Sequence, residues 1–219
     1  MNFCDNQVGT LIVCNKPSVD AFPPESLLRT EGFCSWGACG FLAENFVKTP
    51  VNIYLKFPCS VDVQKVIIHS VVSAQRSTGF ELFSHYDIGK VETLPSLKSS
   101  QGTKSREKLL QEIKDLTFSS IAKLTNYNAD IFQIDNFSYR SRPQFECLQR
   151  VSQGSRLQND PAIRTTMRHR DMRHLSSVSH LCISITRVSH GCVPAIRWVE
   201  VWGQPTASTP KTVVKALLE

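Results

Sequence analysis

The sequence predicts an all-β sandwich, and three segments carry that expectation. In Val51-Asn52-Ile53-Tyr54-Leu55-Lys56-Phe57, apolar and polar residues alternate strictly, which places Val51, Ile53, Leu55 and Phe57 on one face of an extended chain. In Val178–Val188, Leu181, Ile183 and Ile185 point one way, and His180, Cys182, Ser184 and Thr186 point the other. In Cys192–Pro205, Val193, Ala195, Val199 and Val201 share a side, opposite Ile196, Trp198 and Trp202. Two of the three tryptophans stand within five residues there, so much of this strand is expected to be covered. It stops at Gly203-Gln204-Pro205, which no central strand crosses. Its expected partner is the Val51–Phe57 segment, so that strands from both ends of the chain close the sandwich.

The remaining elements follow in order. Val8–Cys14 reads as a first short strand. Pro17, Pro23, Pro24, Gly32, Gly37 and Gly40 make residues 15–40 an irregular connection. Phe41–Val47 reads as a strand, and Val63–Val72, apolar on both faces, as a central one. Gly79–Tyr86 follows with Phe80, Leu82 and Phe83. Ile88–Asp115 breaks the rhythm and predicts a long loop with a short helix over Arg106–Lys114, where Leu109, Leu110 and Ile113 share a face. Strands resume at Leu116–Leu124, Ile131–Phe137 and Phe145–Val151. Residues 152–177, polar and arginine-rich, read as a second loop. Ser189-His190-Gly191-Cys192 reads as the turn of a C-terminal β-hairpin. Beyond it, Thr209 caps a short helix opened by Pro210, with Val213, Val214, Leu217 and Leu218 on its apolar face. The expected division is a sandwich domain over residues 1–205 and a tail with a short helix over 206–219.

The bulk properties narrow the function. The 219 residues suit one large domain, and 41% hydrophobic residues suffice for a sizeable core. No stretch approaches the roughly 18 apolar residues of a membrane helix. Met1-Asn2-Phe3-Cys4-Asp5 lacks a basic region followed by an apolar one, so no signal peptide is expected. The eight cysteines are therefore expected to be reduced, most of them acting as small buried apolar groups. The net charge of +6 is partly local. Arg164, Arg168, Arg170 and Arg173 form one basic cluster, and Lys98, Lys104, Arg106 and Lys108 another. No aromatic residue interleaves them to stack on bases, which argues against nucleic acid as the partner.

No catalytic chemistry is legible. His180-x-Cys182 and His190-x-Cys192 hold zinc-ligand types, but their spacing fits no zinc module, and buried cysteine with surface histidine is the expectation. Cys34 and Cys39 flank Trp36 in a glycine-rich loop, and a nucleophilic cysteine there needs a base from His69 or His85 that no motif supplies. The nucleophile elbow, the phosphate-binding loop and the dinucleotide fingerprint are all missing. Nothing asks for a cofactor or a metal, and a metallohydrolase on this scaffold is a remote option.

Val199-Glu200-Val201-Trp202-Gly203 resembles the closing strand of the discoidin, or galactose-binding-like, jelly rolls, in which first and last strands are neighbours. More narrowly, five stretches in order resemble the N-terminal domain of the RING finger protein 37 family of U-box ubiquitin ligases. They are Cys14-Asn15-Lys16, Asn45-Phe46-Val47-Lys48-Thr49-Pro50-Val51, Lys56-Phe57-Pro58, Thr78-Gly79-Phe80-Glu81-Leu82 and Glu200-Val201-Trp202-Gly203-Gln204-Pro205. The resemblance implies a discoidin-like jelly-roll β-sandwich with long loops. It also implies a nuclear protein of the ubiquitination pathway whose U-box and RING finger lie beyond Glu219; without the resemblance, the expected location is cytoplasmic. The ubiquitin-conjugating enzyme would be engaged only through that missing U-box, so the chain alone is expected to be non-catalytic. Its expected role is to recruit a protein partner or ubiquitination substrate through loops at one end of the sandwich, with no membrane contact. The candidate contact residues are Phe33, Trp36 and Phe41 in one loop and Arg168, Arg170 and Arg173 in the other, because aromatic and arginine residues anchor interfaces. The alternative is a carbohydrate- or lipid-binding module of the same fold.

Overall fold

The computed structural model describes residues 1–28, 40–86, 103–136, 164–169 and 175–206. Among the described residues the strands are β1 (Leu11–Cys14), β2 (Phe41–Leu42), β3 (Val51–His69), β4 (Val71–Val72), β5 (Gln75–Tyr86), β6 (Ser119–Thr125), β7 (Ile131–Asn136), β8 (Arg164–His169), β9 (Val178–Val188), β10 (Ala195–Ile196) and β11 (Trp198–Pro205), with one α-helix, α1 (Thr103–Lys114).

The 19-residue β3 organises the molecule. The sequence pattern suggests two strands, Val51–Phe57 and Val63–Val72, but the chain is one strand that serves two layers. Its first half pairs with β1 on one side and β9 on the other. Its second half pairs with β11 and β7. The first layer therefore runs β1-β3-β9-β5-β6 and the second β11-β3-β7-β8. The register with β9 shifts between Lys56 and Val61, where β3 turns the corner from one layer to the other. It then returns: Val51 stands opposite Ile185 near the end of β9, and at the other extreme Ser77, opposite Val188, donates its N–H to Ser70 O.

The inner faces meet as the alternation dictates. Ile53, Leu55, Leu82, Leu181, Ile183 and Ile185 from the first layer face Ile68, Phe132, Ile134 and Val201 from the second, all within 1% of full burial. Phe80 of β5 and Phe132 of β7 meet edge to face at 4.8 Å across the sandwich. The first residues of the chain close on β11, while β1 and β11 pair with different halves of β3 and are not neighbours. Phe3 N–H donates to Val201 O at 2.7 Å, and Gly203 N–H donates to Met1 O at 3.0 Å.

Several expectations are corrected. β11 pairs with Val61–His69 and not with Val51–Phe57. Its tryptophans are half-exposed, and Val199 and Val201 form the buried face. An indole N–H needs a polar partner, and Trp202 finds one on the outer face in Glu200. No C-terminal hairpin forms, because β9 is already paired on both sides, by β3 and β5, while β11 joins the other layer. The expected Phe41–Val47 strand shortens to Phe41–Leu42. Val63–Val72 is interrupted at Ser70, whose buried hydroxyl donates to Asp130 O. Within residues 152–177, read as a loop, Arg164–His169 is a strand parallel to β7. Phe145–Val151 and the helix expected after Pro205 lie outside the described residues. α1 begins at Thr103, a little earlier than expected, with Leu109 and Ile113 buried against Val13. The described cysteines 4, 14, 59, 182 and 192 form no disulfide. Burial pushes the Cys182 thiol up to about 12, and Cys4 higher still, so both are inert apolar fillers.

Candidate interaction surface

The sequence-derived contact residues do not converge among the described residues. Phe33, Trp36, Arg170 and Arg173 lie outside them. Phe41 is fully buried, because β2 pairs with β10 and turns the ring into the core; it presents nothing to a partner. Arg168 stands on a strand, at the register position opposite Asp135. The histidine–cysteine pattern also separates. His180 and Cys182 are buried within β9, and His190 and Cys192 lie past its other end. Among the described residues, no group of three or more His, Cys, Asp and Glu side chains is placed to hold a metal. His69 and His85 are engaged with Glu200 and with Thr117 O.

The structure points instead to one rim of the sandwich. Strand registers place the start of β3 and the ends of β1, β9 and β6 side by side, since Val51 pairs with Ile185, Ile185 with Phe80, and Phe80 with Leu124. Three connections gather there, residues 15–20, 43–50 and 189–194. Ala43 N–H donates to Pro194 O at 2.9 Å and Glu44 N–H to Pro17 O at 3.3 Å. Asn15 and Asn52 clasp each other, Asn15 N–H to Asn52 O at 3.0 Å and Asn52 N–H to Asn15 Oδ1 at 2.9 Å.

Phe46 projects from this rim, 97% exposed. Its φ is +69°, a left-handed conformation that bulky L-residues rarely adopt. The reason is local. Val47, next in sequence, packs against the core, and its N–H donates to Glu44 O at 3.3 Å, closing a turn. With Val47 turned inward, Phe46 is turned out and cannot share the same cover. Such strain costs about 1–3 kcal/mol and persists where the surroundings impose it. Farther along the rim, Tyr127 is 61% exposed, and its hydroxyl accepts from Arg187 Nη1 at 3.0 Å. The exposed Lys16, Lys48 and Arg187 give the rim cations beside its two aromatic rings. Pattern reading missed Phe46 because it placed residues 41–47 in a strand. The available signal was phase: counting back by twos from Val51 puts Val47 inside and Phe46 outside.

A second aromatic cluster lies on the outer face of the other layer. Trp198 lies 4.1 Å from the His69 ring, and the Arg197 guanidinium is 4.9 Å from the Trp198 centroid. Glu200 accepts from Trp202 Nε1 at 2.7 Å and lies 3.3 Å from His69 Nε2. Burial pushes the Glu200 carboxyl up, but the hydrogen bonds from His69 and Trp202 and the charge of His69 outweigh it, so the net shift is downward from 4.5. Both carboxylate oxygens are engaged, and the cluster reads as the clasp that fastens β11 to β3.

A family described as "Family of unknown function (DUF5918)" matches residues 2–219. The chain belongs to this family. It is 26% identical over all 219 residues to RING finger protein 37 of Homo sapiens, covering 38% of that protein. The Mus musculus protein of the same name is also 26% identical, with 39% of its length covered. The chain thus spans about two fifths of the length of these curated relatives. Among solved structures, the family 32 carbohydrate-binding module of C. perfringens NanJ, in complex with galactose, superposes with a TM-score of 0.50 at 8% identity, covering 91% of this chain and 96% of that one. CpGH89CBM32-5 from Clostridium perfringens, in complex with GalNAc-β-1,3-galactose, gives 0.50 at 9% identity, covering 92% and 99%. These likenesses establish the discoidin-like jelly-roll fold. The relationship to RING finger protein 37, first seen in five short stretches, extends over the whole chain.

Proposed function

We propose that this chain is the partner-recruiting domain of a protein related to the U-box and RING-finger ubiquitin ligases, that it acts in the nucleus, and that it binds a protein through the Phe46 rim. Phe46 carries the proposal: it is an aromatic side chain held almost fully in solvent on a left-handed backbone. The relationship to RING finger protein 37 supplies the pathway. The geometry adds a reason for the rim. Pro205 pairs with Val61, and Val61 with Val178, at the start of β9; the rim gathers at the other end of that strand. An 11-residue strand separates the two by about 35 Å. Residue 205 therefore lies far from the rim.

The test is proximity labelling in cells, with the labelling enzyme fused to the C-terminal side, comparing the native chain with Phe46→Ser. The expected result is a set of neighbouring proteins depleted at least tenfold by Phe46→Ser at unchanged melting temperature. An identical set from both chains refutes the rim as the contact. A glycan array completes the test: strong, Phe46-dependent binding to galactose-containing glycans overturns protein recruitment in favour of a carbohydrate-binding module.

A further inference from the structure

The outer face of the first layer carries a second surface. Most of that face is polar: Asn52, Lys56, His180 and Ser184 occupy outward positions on β3 and β9. One apolar strip crosses it, formed by Val13, Tyr54 and Phe118, with Tyr54 and Phe118 rings 5.8 Å apart. The chain's own α1 lies on this strip. It is seated by Leu109 and Ile113, each 5% exposed, and by the half-buried Leu110. Beside them Lys56 Nζ of the sheet meets Glu112 Oε2 of the helix at 3.1 Å in an exposed ion pair. The strip also extends past the helix. Leu11, two residues from Val13 and on the same face of β1, is 37% exposed and is among the few large apolar side chains left in solvent.

We propose that this strip is a groove for an amphipathic helix, that α1 is its resident occupant, and that an amphipathic helix of a partner protein, with the same apolar spacing and an acid facing Lys56, takes its place. The occupant is fixed by what the groove already holds. It accepts aliphatic residues at i, i+1 and i+4, as Leu109, Leu110 and Ile113 show, and an acid three residues after the first, as Glu112 shows. α1 is suited to leave, because its two buried anchors belong to a cluster separate from the main core and no strand pairing depends on it.

Two measurements on the full chain test this. In the native protein, amide hydrogen exchange of residues 107–114 is expected to be about 100-fold or more faster than that of the paired residues of β3 and β9. Protection of α1 equal to that of the strands overturns the proposal. The second measurement uses a fluorescein-labelled peptide of sequence 103–114 as probe. The Leu109→Glu/Ile113→Glu chain, with its own helix unseated, is expected to bind the peptide at least about tenfold more tightly than the native chain. A peptide carrying Glu112→Lys is expected to bind about two- to fivefold more weakly than the unaltered one. Equal binding of the probe by both chains, or no binding by either, refutes the groove. Unfolding of the double variant leaves the exchange measurement to decide.

Discussion

Replacing Gly203 by alanine tests the closure of the sandwich directly. Gly203 sits in β11 next to a register shift, buried and opposite Val63. A Cβ built there lies 2.6 Å from Asp62 O and 2.9 Å from Val61 Cγ1. The nearest atom is backbone, and Asp62 is held twice, by pairing with Gln204 and by accepting the Ser177 N–H at 3.0 Å on its side chain. The neighbour cannot yield without disturbing the β3–β11 ladder. Overpacking of this kind costs about 1–3 kcal/mol, and a backbone clash belongs at the upper end. At about 2–4 °C per kcal/mol for a domain of this size, Gly203→Ala should melt about 6–12 °C below the native chain. Gly191→Ala is the control: nothing lies within 4 Å of its Cβ, but its φ of +74° disfavours alanine. That strain alone, about 1 kcal/mol, should lower the midpoint by about 2–4 °C. Differential scanning calorimetry reads both. A Gly203→Ala midpoint within 1 °C of native, or a larger loss from Gly191→Ala, refutes the idea that close strand approach sets the stability of this closure.

Four further outcomes are expected. Phe41→Ala should destabilise by about 3–5 kcal/mol in urea titrations, because the ring is fully buried. Phe46→Gly should leave the fold intact and raise stability by up to about 1 kcal/mol, since glycine adopts φ +69° without strain. Glu200→Gln should cost about 1.5 kcal/mol at neutral pH. The folded-state carboxyl titrates below its ordinary value of 4.5, so its stabilisation is complete above that value and fades as the pH falls through the lowered one. The gap between native and Glu200→Gln melting curves should therefore close in acid, and a gap that widens there counts against the clasp. Among the described cysteines, the half-buried Cys59 and Cys192 should react with a thiol reagent in the native state before Cys4, Cys14 and Cys182, as peptide mapping would show.

Sequence pattern located the elements better than their connections. The alternation of Leu181, Ile183 and Ile185 fixed β9 at Val178–Val188, and the spacing of Leu109 and Ile113 found α1. It failed where one strand serves two layers. Pro58, Cys59 and Ser60 are all half-buried at the corner of β3, so no periodic signal carries the strand through them. It failed again for the aromatic residues. Phe41 and Phe46 are five positions apart, one buried and the other almost wholly exposed, and hydrophobicity does not distinguish them. The difference is set by a backbone angle at Phe46 and by the inward turn of Val47. Trp198 and Trp202 show the same effect: their bulk suggests a core, but their N–H groups and the neighbouring carboxylate hold them on the outer face.

β3 is a covalent bolt through both layers. Peeling β11 or β7 from one layer loosens residues that are continuous with the partners of β1 and β9 in the other, so neither half has a separate way to melt. Partly opened forms that expose a sheet edge to other molecules should therefore be scarce. One cut in the backbone at residues 58–60 would remove that tie and leave the shared core alone to hold the layers together.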